Sequence, residues 1–265
     1  MKLAVLGHLE WVDFVDVERV PVAGEIAQGT AVLSTAAGGG AVAAVAMARW
    51  GAETLFFTAF GGDELGTRAR AELAARGVML HAVDRATPQR RAITFLDAQR
   101  ERTIVVFGER LGAHASDPLP WDALAQCDAV YITGGDAGAV RAARAARVVV
   151  ATSRVLPLLR EAAIQIDVLV GSANDAVERY ADGDLVPPPR LVVRTDGARG
   201  GTYGDVRYAP VPATFTGDTY GAGDTFAAAL AYGFGEGRSA PDAVAFAAAR
   251  AAEVLAWRGP YPDER

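Results

Sequence analysis

TGDTYGAGDTFAAALAYGF, residues 216–234, sets a carboxylate on each side of a glycine turn at the point where a helix begins. Asp218 and Asp224 bracket Gly221-Ala222-Gly223, and the apolar run that follows predicts a helix starting near Gly223 or Asp224. The first backbone N–H groups of such a helix have no intrahelical acceptor, and the helix dipole adds positive potential there. Glycines let a ligand approach that end closely, which makes an anion hole without lysine or arginine. Two readings of Asp224 are open on this spacing. It caps the helix, or it takes the proton of a substrate hydroxyl that attacks in line, while the N–H groups hold the charge of a transferring phosphoryl group.

Working outward, short apolar runs recur at 2–7 (KLAVLG), 54–60 (TLFFTAF), 129–133 (AVYIT), 147–152 (RVVVAT), 167–171 (DVLVG) and 190–195 (RLVVRT). They read as strands buried on both faces. Helical segments rich in Ala, Leu and Arg separate them at 40–50, 66–76, 138–146 and 154–163. This alternation predicts a three-layer α/β/α fold with a mainly parallel central sheet. Residues 11–34 and 90–108 break the rhythm with alternating or β-branched patterns, and a polar turn at 98–102 joins two strand-like runs. They are expected to form a small antiparallel sheet over one edge of a single domain, 1–265. A final helix opens at Ser239 with Asp242 in a capping-box-like pair and Pro241 in its first turn. It shows an apolar face through Val244, Ala247, Ala248, Ala251, Val254 and Leu255, and is expected to stop at Gly259-Pro260.

The 265 residues are 51% hydrophobic and 22% charged, enough for a core under an ordinary surface. A formal net charge of −6 argues against nucleic-acid binding, which needs a basic footprint. Cys127 is the sole cysteine, so no intrachain disulfide forms; with His8, His81 and His114 scattered, a structural zinc site is not expected. MKLAVLG enters a strand at once, so no signal peptide is expected. No apolar run approaches the roughly 20 residues needed to span a bilayer, and a cytoplasmic location is the expectation. Lys2 is the only lysine and Asn174 the only asparagine, which excludes a P-loop of the GxxxxGK[ST] type and a protein-kinase site. There is no GxSxG elbow.

DTYGAGDTF resembles the DTxGAGDxF signature of the PfkB (ribokinase-like) carbohydrate kinases. PVAGE (21–25), AGGGAVAAVAMARWG (37–51), GGDELG (61–66), RGV (76–78) and TDGARG (195–200) are similar to further segments of that family, in the family's order, so the resemblance runs over essentially the whole chain. It implies a β-sheet lid on the three-layer body, ATP with Mg²⁺, and phosphorylation of a hydroxymethyl group on a sugar, nucleoside or polyol. By the same resemblance Asp224 is the base, and Gly221, Ala222 and Gly223 form the anion hole. Thr195, Gly197 and Gly200 lie along the nucleotide. Asp218 matches an aspartate that helps hold a monovalent cation, K⁺ for instance; its other reading is a turn residue bonding its own backbone. Relatives commonly dimerise through the lid, which implies a homodimer.

The substrate side departs from the family pattern. The glycine loop carries Val42 where sugar kinases have an Asn, and Gly39 where ribokinases have a lysine. In the first-strand loop Glu10 takes the place of an Asn and Val12 that of an Asp, with Asp13 one residue on. Glu10 and Asp13 are the candidate substrate contacts, since a carboxylate accepts two hydroxyl hydrogen bonds; strand alternation puts them on opposite faces, and each also reads as a solvated charge. Gly38, Gly39 and Gly40 fit close backbone approach to a ligand, or a tight strand-to-helix turn. At the family's NxxE motif stand Ser172 and Asp175, and Asp175 is expected to orient metal-bound water. Arg90 and Arg91 begin a lid strand; contact with an anionic substrate is one reading, and that of surface arginines is preferred. Two other functions stay open: a non-catalytic nucleotide or metabolite sensor on the same fold, and an NAD(P)-dependent oxidoreductase, since Gly38-x-Gly40-x-x-Ala43 fits G-x-G-x-x-A.

Overall fold

The computed structural model describes residues 1–262. In chain order the strands of the large sheet are β1 (Lys2–Leu6), β4 (Glu53–Gly61), β5 (Met79–Arg85), β8 (Ala129–Ile132), β9 (Val148–Thr152), β10 (Val168–Ser172), β11 (Leu191–Thr195), β12 (Gly201–Tyr203) and β13 (Val206–Tyr208). The small sheet takes β2 (Glu10–Asp16), β3 (Ala31–Ala37), β6 (Arg91–Leu96) and β7 (Arg102–Phe107). Among the described residues six α-helices complete the body: α1 (Gly39–Arg49), α2 (Glu64–Ala75), α3 (Ala137–Ala143), α4 (Leu156–Ala162), α5 (Ala222–Gly235) and α6 (Ala240–Val254).

The large sheet runs β13-β12-β11-β10-β9-β8-β1-β4-β5. From β11 to β5 every pairing is parallel, and β12 and β13 add an antiparallel meander at one edge. Alternation along the central strands sorts side chains into two cores. Leu3, Val5, Phe56, Phe60 and Tyr131 face α1, α2, α5 and α6, whereas Ala4, Leu6, Leu55, Phe57 and Ile132 face α3 and α4. Each fully buried Phe or Leu contributes about 1.5–3 kcal/mol of transfer free energy, which is why near-continuous apolar strands settle at the centre.

The small sheet runs β3-β2-β6-β7. It was expected to be antiparallel, but β2 and β6 pair in parallel, with Asp13 opposite Ile93. Both strands leave the same end of the large sheet, one after β1 and the other after β5, so they travel in the same direction. One face of this lid rests on the body through Val12, Phe14, Ala92, Leu96, Val42 and Tyr220. The Phe14 and Tyr220 rings meet edge to face at 4.7 Å.

The last helix begins as expected, with Ser239 Oγ accepting from the Asp242 N–H. It ends at Val254, short of Gly259-Pro260, because the loop before α5 recruits the carbonyls that would continue it. Leu255 O accepts from Thr216 and Gly217 N–H, and Trp257 O from Asp218 N–H.

Candidate active site

The parallel order brings strand ends into a row: Thr195 (β11), Ser172 (β10), the Thr152–Arg154 turn (β9), Thr133 (after β8) and His8 (after β1). Open α/β sheets bind ligands outside these carboxyl ends. Over this row stands the amino end of α5. Gly221, at φ 78°, is its N-cap, a left-handed conformation that costs glycine nothing. The Gly223 and Asp224 N–H groups have no acceptor among the described residues, and a side chain at Gly223 would meet open space.

Asp224 does not cap the helix: no side-chain cap bond exists there. Its carboxylate is half-buried, without a hydrogen-bond or ion-pair partner among the described residues. It lies against Gly39, where a Cβ would come within 2.7 Å of Asp224 Oδ1 and 3.2 Å of Thr133 Oγ1. Burial is the main cause that raises its pKa from 3.8 to about 6; Arg154 and Arg102 oppose the rise, and Glu178 and Glu10 add to it. Tertiary shielding outweighs the two arginines because neither makes a direct bond to it.

The three adjacent glycines do different work. A Cβ on Gly38 would press on Glu10 N at 3.1 Å and Glu10 Cγ at 3.3 Å. One on Gly40 would strike His8 O at 2.6 Å and the Phe56 ring at 2.9 Å, so Gly40 serves the turn. Gly38 donates its N–H to the buried Tyr220 hydroxyl at 3.2 Å. Consecutive glycines therefore let Glu10 and Asp224 approach one stretch of backbone. The G-x-G-x-x-A resemblance is not realised as a dinucleotide loop: these glycines follow β3 of the small sheet, and Asp224 occupies the space beside Gly39.

Glu10 shares its face of β2 with Val12 and Phe14, toward the body, and accepts from Arg90 Nε at 2.6 Å. His8 Nε2 is 3.8 Å from the same carboxylate. Burial, then Arg110, lower the His8 pKa to about 3, so the imidazole is neutral. Its Nδ1 lies 3.3 Å from the Thr133 carbonyl, which assigns the proton to Nδ1. Asp13 stands on the opposite face, accepting from Ser34 Oγ at 2.6 Å and Arg91 Nη2 at 3.1 Å. The fold brings Glu10, not Asp13, toward Asp224.

Asp175 accepts from Val177 N–H at 2.9 Å and from Arg154 Nη2 at 2.7 Å. Three residues on, Glu178 accepts from Ser172 N–H at 2.6 Å, pairs with the same Arg154, and its side chain is only 11% exposed against 34% for Asp175. Glu178 is also among the charged groups that raise the Asp224 pKa. Sequence reasoning passed over Glu178 and Arg154; the position of Arg154 just past a parallel strand was the available signal. Arg102 was missed too. From β7 it donates to Thr219 Oγ1 at 2.8 Å and to the Thr219 carbonyl, latching the lid to the loop before α5.

Thr195 ends β11, and its carbonyl accepts from Ala173 N–H at 2.8 Å. Gly197, at φ 55°, faces open space. Gly200, at φ 83°, packs against the Tyr208 carbonyl, so its lack of a side chain serves the fold. Asp196 ties this turn to Arg199 and to Asn174 Nδ2 at 3.1 Å. Asp218 is fully buried, with Oδ1 accepting from Tyr220 N–H and Oδ2 from Gly259 N–H, both at 2.7 Å. It clamps the loop before α5 onto the segment after α6. No group of three or more His, Cys, Asp or Glu among the described residues is arranged to hold a metal ion. None of the described helices is long and apolar enough to cross a membrane.

The three-layer body and its small-sheet lid define a ribokinase-like fold. The family model for pfkB family carbohydrate kinases matches residues 1–264, and the chain belongs to that family. Among curated proteins no sequence matches it. Solved structures are similar in fold at low identity. A ribokinase from Thermotoga maritima superposes with TM-score 0.78 at 18% identity, covering 97% of this chain and 93% of its own. An adenosine kinase from Sinorhizobium meliloti gives 0.78 at 20%, covering 99% and 96%. An Arabidopsis thaliana ribokinase complexed with ribose and ATP gives 0.74 at 20%, covering 98% and 96%.

Proposed function

We propose that this carbohydrate kinase moves the γ-phosphoryl group of ATP to a hydroxymethyl group of a sugar or related small molecule, with Asp224 as general base. One observation carries the reading: an unpaired, half-buried carboxylate with a pKa of about 6 sits in the first turn of α5 beside two amides that lack acceptors. A base with that pKa is ionised at neutral pH yet basic enough to take up a hydroxyl proton as the oxygen attacks. The N–H groups of Gly221, Ala222 and Gly223 receive charge on the transferring group, that of Ala222 on giving up its 3.4 Å bond to the Thr219 carbonyl. Glu10 lies on the acceptor side, against Gly38, and orients its hydroxyls.

ATP fits the row of strand ends. Gly197 is open to solvent beside Thr195, Arg154 stands next along the row, and the free amides lie beyond it. Mg²⁺ bound to the nucleotide would neutralise phosphate charge, and Glu178, with Asp175, would meet it through water, since Mg²⁺ keeps much of its hydration. A K⁺ ion near Asp218 would have to use the lone pairs its two backbone bonds leave free. The lone, buried Cys127 thiol accords with a cytoplasmic location. Homodimerisation is supported by β7, whose Ile104, Val105, Val106 and Phe107 are all exposed on the lid's outer strand.

The test measures ADP release with ATP–Mg²⁺ over a panel of sugars, nucleosides and polyols, beside thermal shift with nucleotides. Turnover with at least one acceptor, and stabilisation by ATP–Mg²⁺ but not by NAD(P), is expected. Binding of ATP without turnover on any acceptor would leave a sensor in the kinase's place.

A further inference from the structure

The segment that returns from β7 to the body crosses the cleft between two fixed points. At one end Gly108 lies against the Arg90 backbone, and its carbonyl accepts from Arg90 Nη1 at 3.4 Å. At the other, Gly112 packs on Gly135 just past β8, and its carbonyl accepts from Arg85 at 2.8 Å. Leu111 is buried between them, while Arg110 is exposed in the cleft.

The arginines around it are committed: Arg90 to Glu10, Arg154 to Asp175 and Glu178, Arg102 to Thr219. Arg110 has no hydrogen-bond or ion-pair partner among the described residues. The charged groups that act on it are Arg90, Glu10, Arg154 and Asp224. Partial desolvation of this otherwise exposed side chain, then Arg90, lower its pKa, while Glu10 and Asp224 oppose the shift without bonding it. His8 is neutral and does not change this balance.

We propose that the phosphoryl acceptor is itself an anion, a hydroxymethyl compound bearing a carboxylate or a phosphate ester that Arg110 binds in the cleft between Glu10 and Asp224. This rests on the kinase reading above. Location favours the acceptor over ATP as the source of the anion. The nucleotide turn at Thr195 and Gly197 lies at the β11 end of the row, whereas Arg110 hangs between Arg90 and the end of β8, beside His8 and Glu10. A guanidinium presents a forked set of donors to either anion. A protein of net charge −6 gains local selectivity for such a substrate from its cleft alone.

The experiment compares matched acceptors: neutral aldoses and polyols, the corresponding aldonic acids, and the corresponding sugar monophosphates. kcat/KM is expected to be at least about tenfold higher for one anionic class than for its neutral counterpart, and the two anionic arms tell carboxylate from phosphate. Arg110→Ala should raise KM for that acceptor by about 10–100-fold, the usual loss for a hydrogen bond to a charged group. The KM for ATP should stay within about twofold, and Arg110→Lys should recover part of the loss. Preference for neutral acceptors in the wild type, or an Arg110→Ala effect that falls on the KM for ATP, overturns the proposal. No turnover with any acceptor would defeat the kinase reading, and thermal shift with ADP–Mg²⁺ present would still decide the anion. Stabilisation by aldonates or sugar phosphates that Arg110→Ala abolishes supports it, and equal stabilisation of both proteins overturns it.

Discussion

Replacing Asp224 by Asn is expected to lower activity and raise stability together. A lost general base costs about 10²–10⁴-fold in turnover. The wild-type kcat/KM should rise about tenfold per pH unit up to about 6 and level off above it, and the variant should lose that limb. The stability effect has the opposite sign. The folded carboxyl holds its proton up to about pH 6, whereas in the unfolded chain it ionises near the ordinary 3.8. Between those values the unfolded state has already released the proton, so stability falls as pH rises through the window, and the whole cost remains above it. At 1.36 kcal/mol per pH unit the ceiling is about 3 kcal/mol. The carboxylate is half-open to solvent, which reduces this to about 1–2 kcal/mol. Asn is uncharged and nearly the same shape, so urea denaturation at pH 8 should show the variant more stable by that amount, with the gap closing toward pH 4. Retained activity, or a stability difference that does not change between pH 4 and pH 8, would refute the reasoning.

Gly39→Ala places a Cβ 2.7 Å from Asp224 Oδ1, so the carboxylate must move; kcat should fall about 10²-fold in steady-state assays while the melting temperature changes little. Asp218→Ala strands the N–H groups of Tyr220 and Gly259, and urea titration should show a loss of about 2–4 kcal/mol, with Asp218→Asn losing less. Glu178→Gln should raise the Mg²⁺ concentration for half-maximal rate about tenfold or more, and Asp175→Asn by much less, in a metal titration at saturating ATP. The wild type is expected to be a dimer in light scattering, and Val105→Lys on the exposed outer lid strand to leave a monomer.

Strands β1, β4 and β8–β10 were legible because burial on both faces leaves a nearly continuous apolar run, and β11 because LVV keeps that run although only Val193 is buried. β5 was not, since it lies at the sheet edge with most of its residues half-exposed, and MLHAVDR carries no period. β12 and β13 are three residues each, too short for a pattern. The parallel β2–β6 pairing and the early end of α6 depend on contacts between distant segments, such as Leu255 O with Thr216 N–H, which no local signal encodes. The same division holds in the site. Asp224, Gly38 and Gly39 announce themselves because glycines beside a helix start are uncommon choices. Arg90 reads in sequence as one more surface arginine, yet its side chain is 14% exposed and bound to Glu10. Glu178, Arg154, Arg102 and Arg110 gain their roles only when four separate elements converge.

That convergence accounts for the raised pKa on which the proposed role of Asp224 as base depends. A carboxylate that accepts bonds from backbone N–H groups and arginine falls below its ordinary pKa and takes protons poorly, as Asp175 illustrates, lowered by the Val177 N–H first and by Arg154 as well. Arg154 and Arg102 both act on Asp224 electrostatically, and direct pairing with either would lower its pKa further. It is avoided because each guanidinium has another partner: Asp175 and Glu178 hold Arg154, and Thr219 holds Arg102. Gly39 completes the arrangement by bringing bare backbone, without a donor side chain, against the carboxylate. The basicity of Asp224 therefore comes from shielding it from water while its cationic neighbours are kept occupied, and any substitution that frees Arg154 or Arg102 acts on the base without touching it.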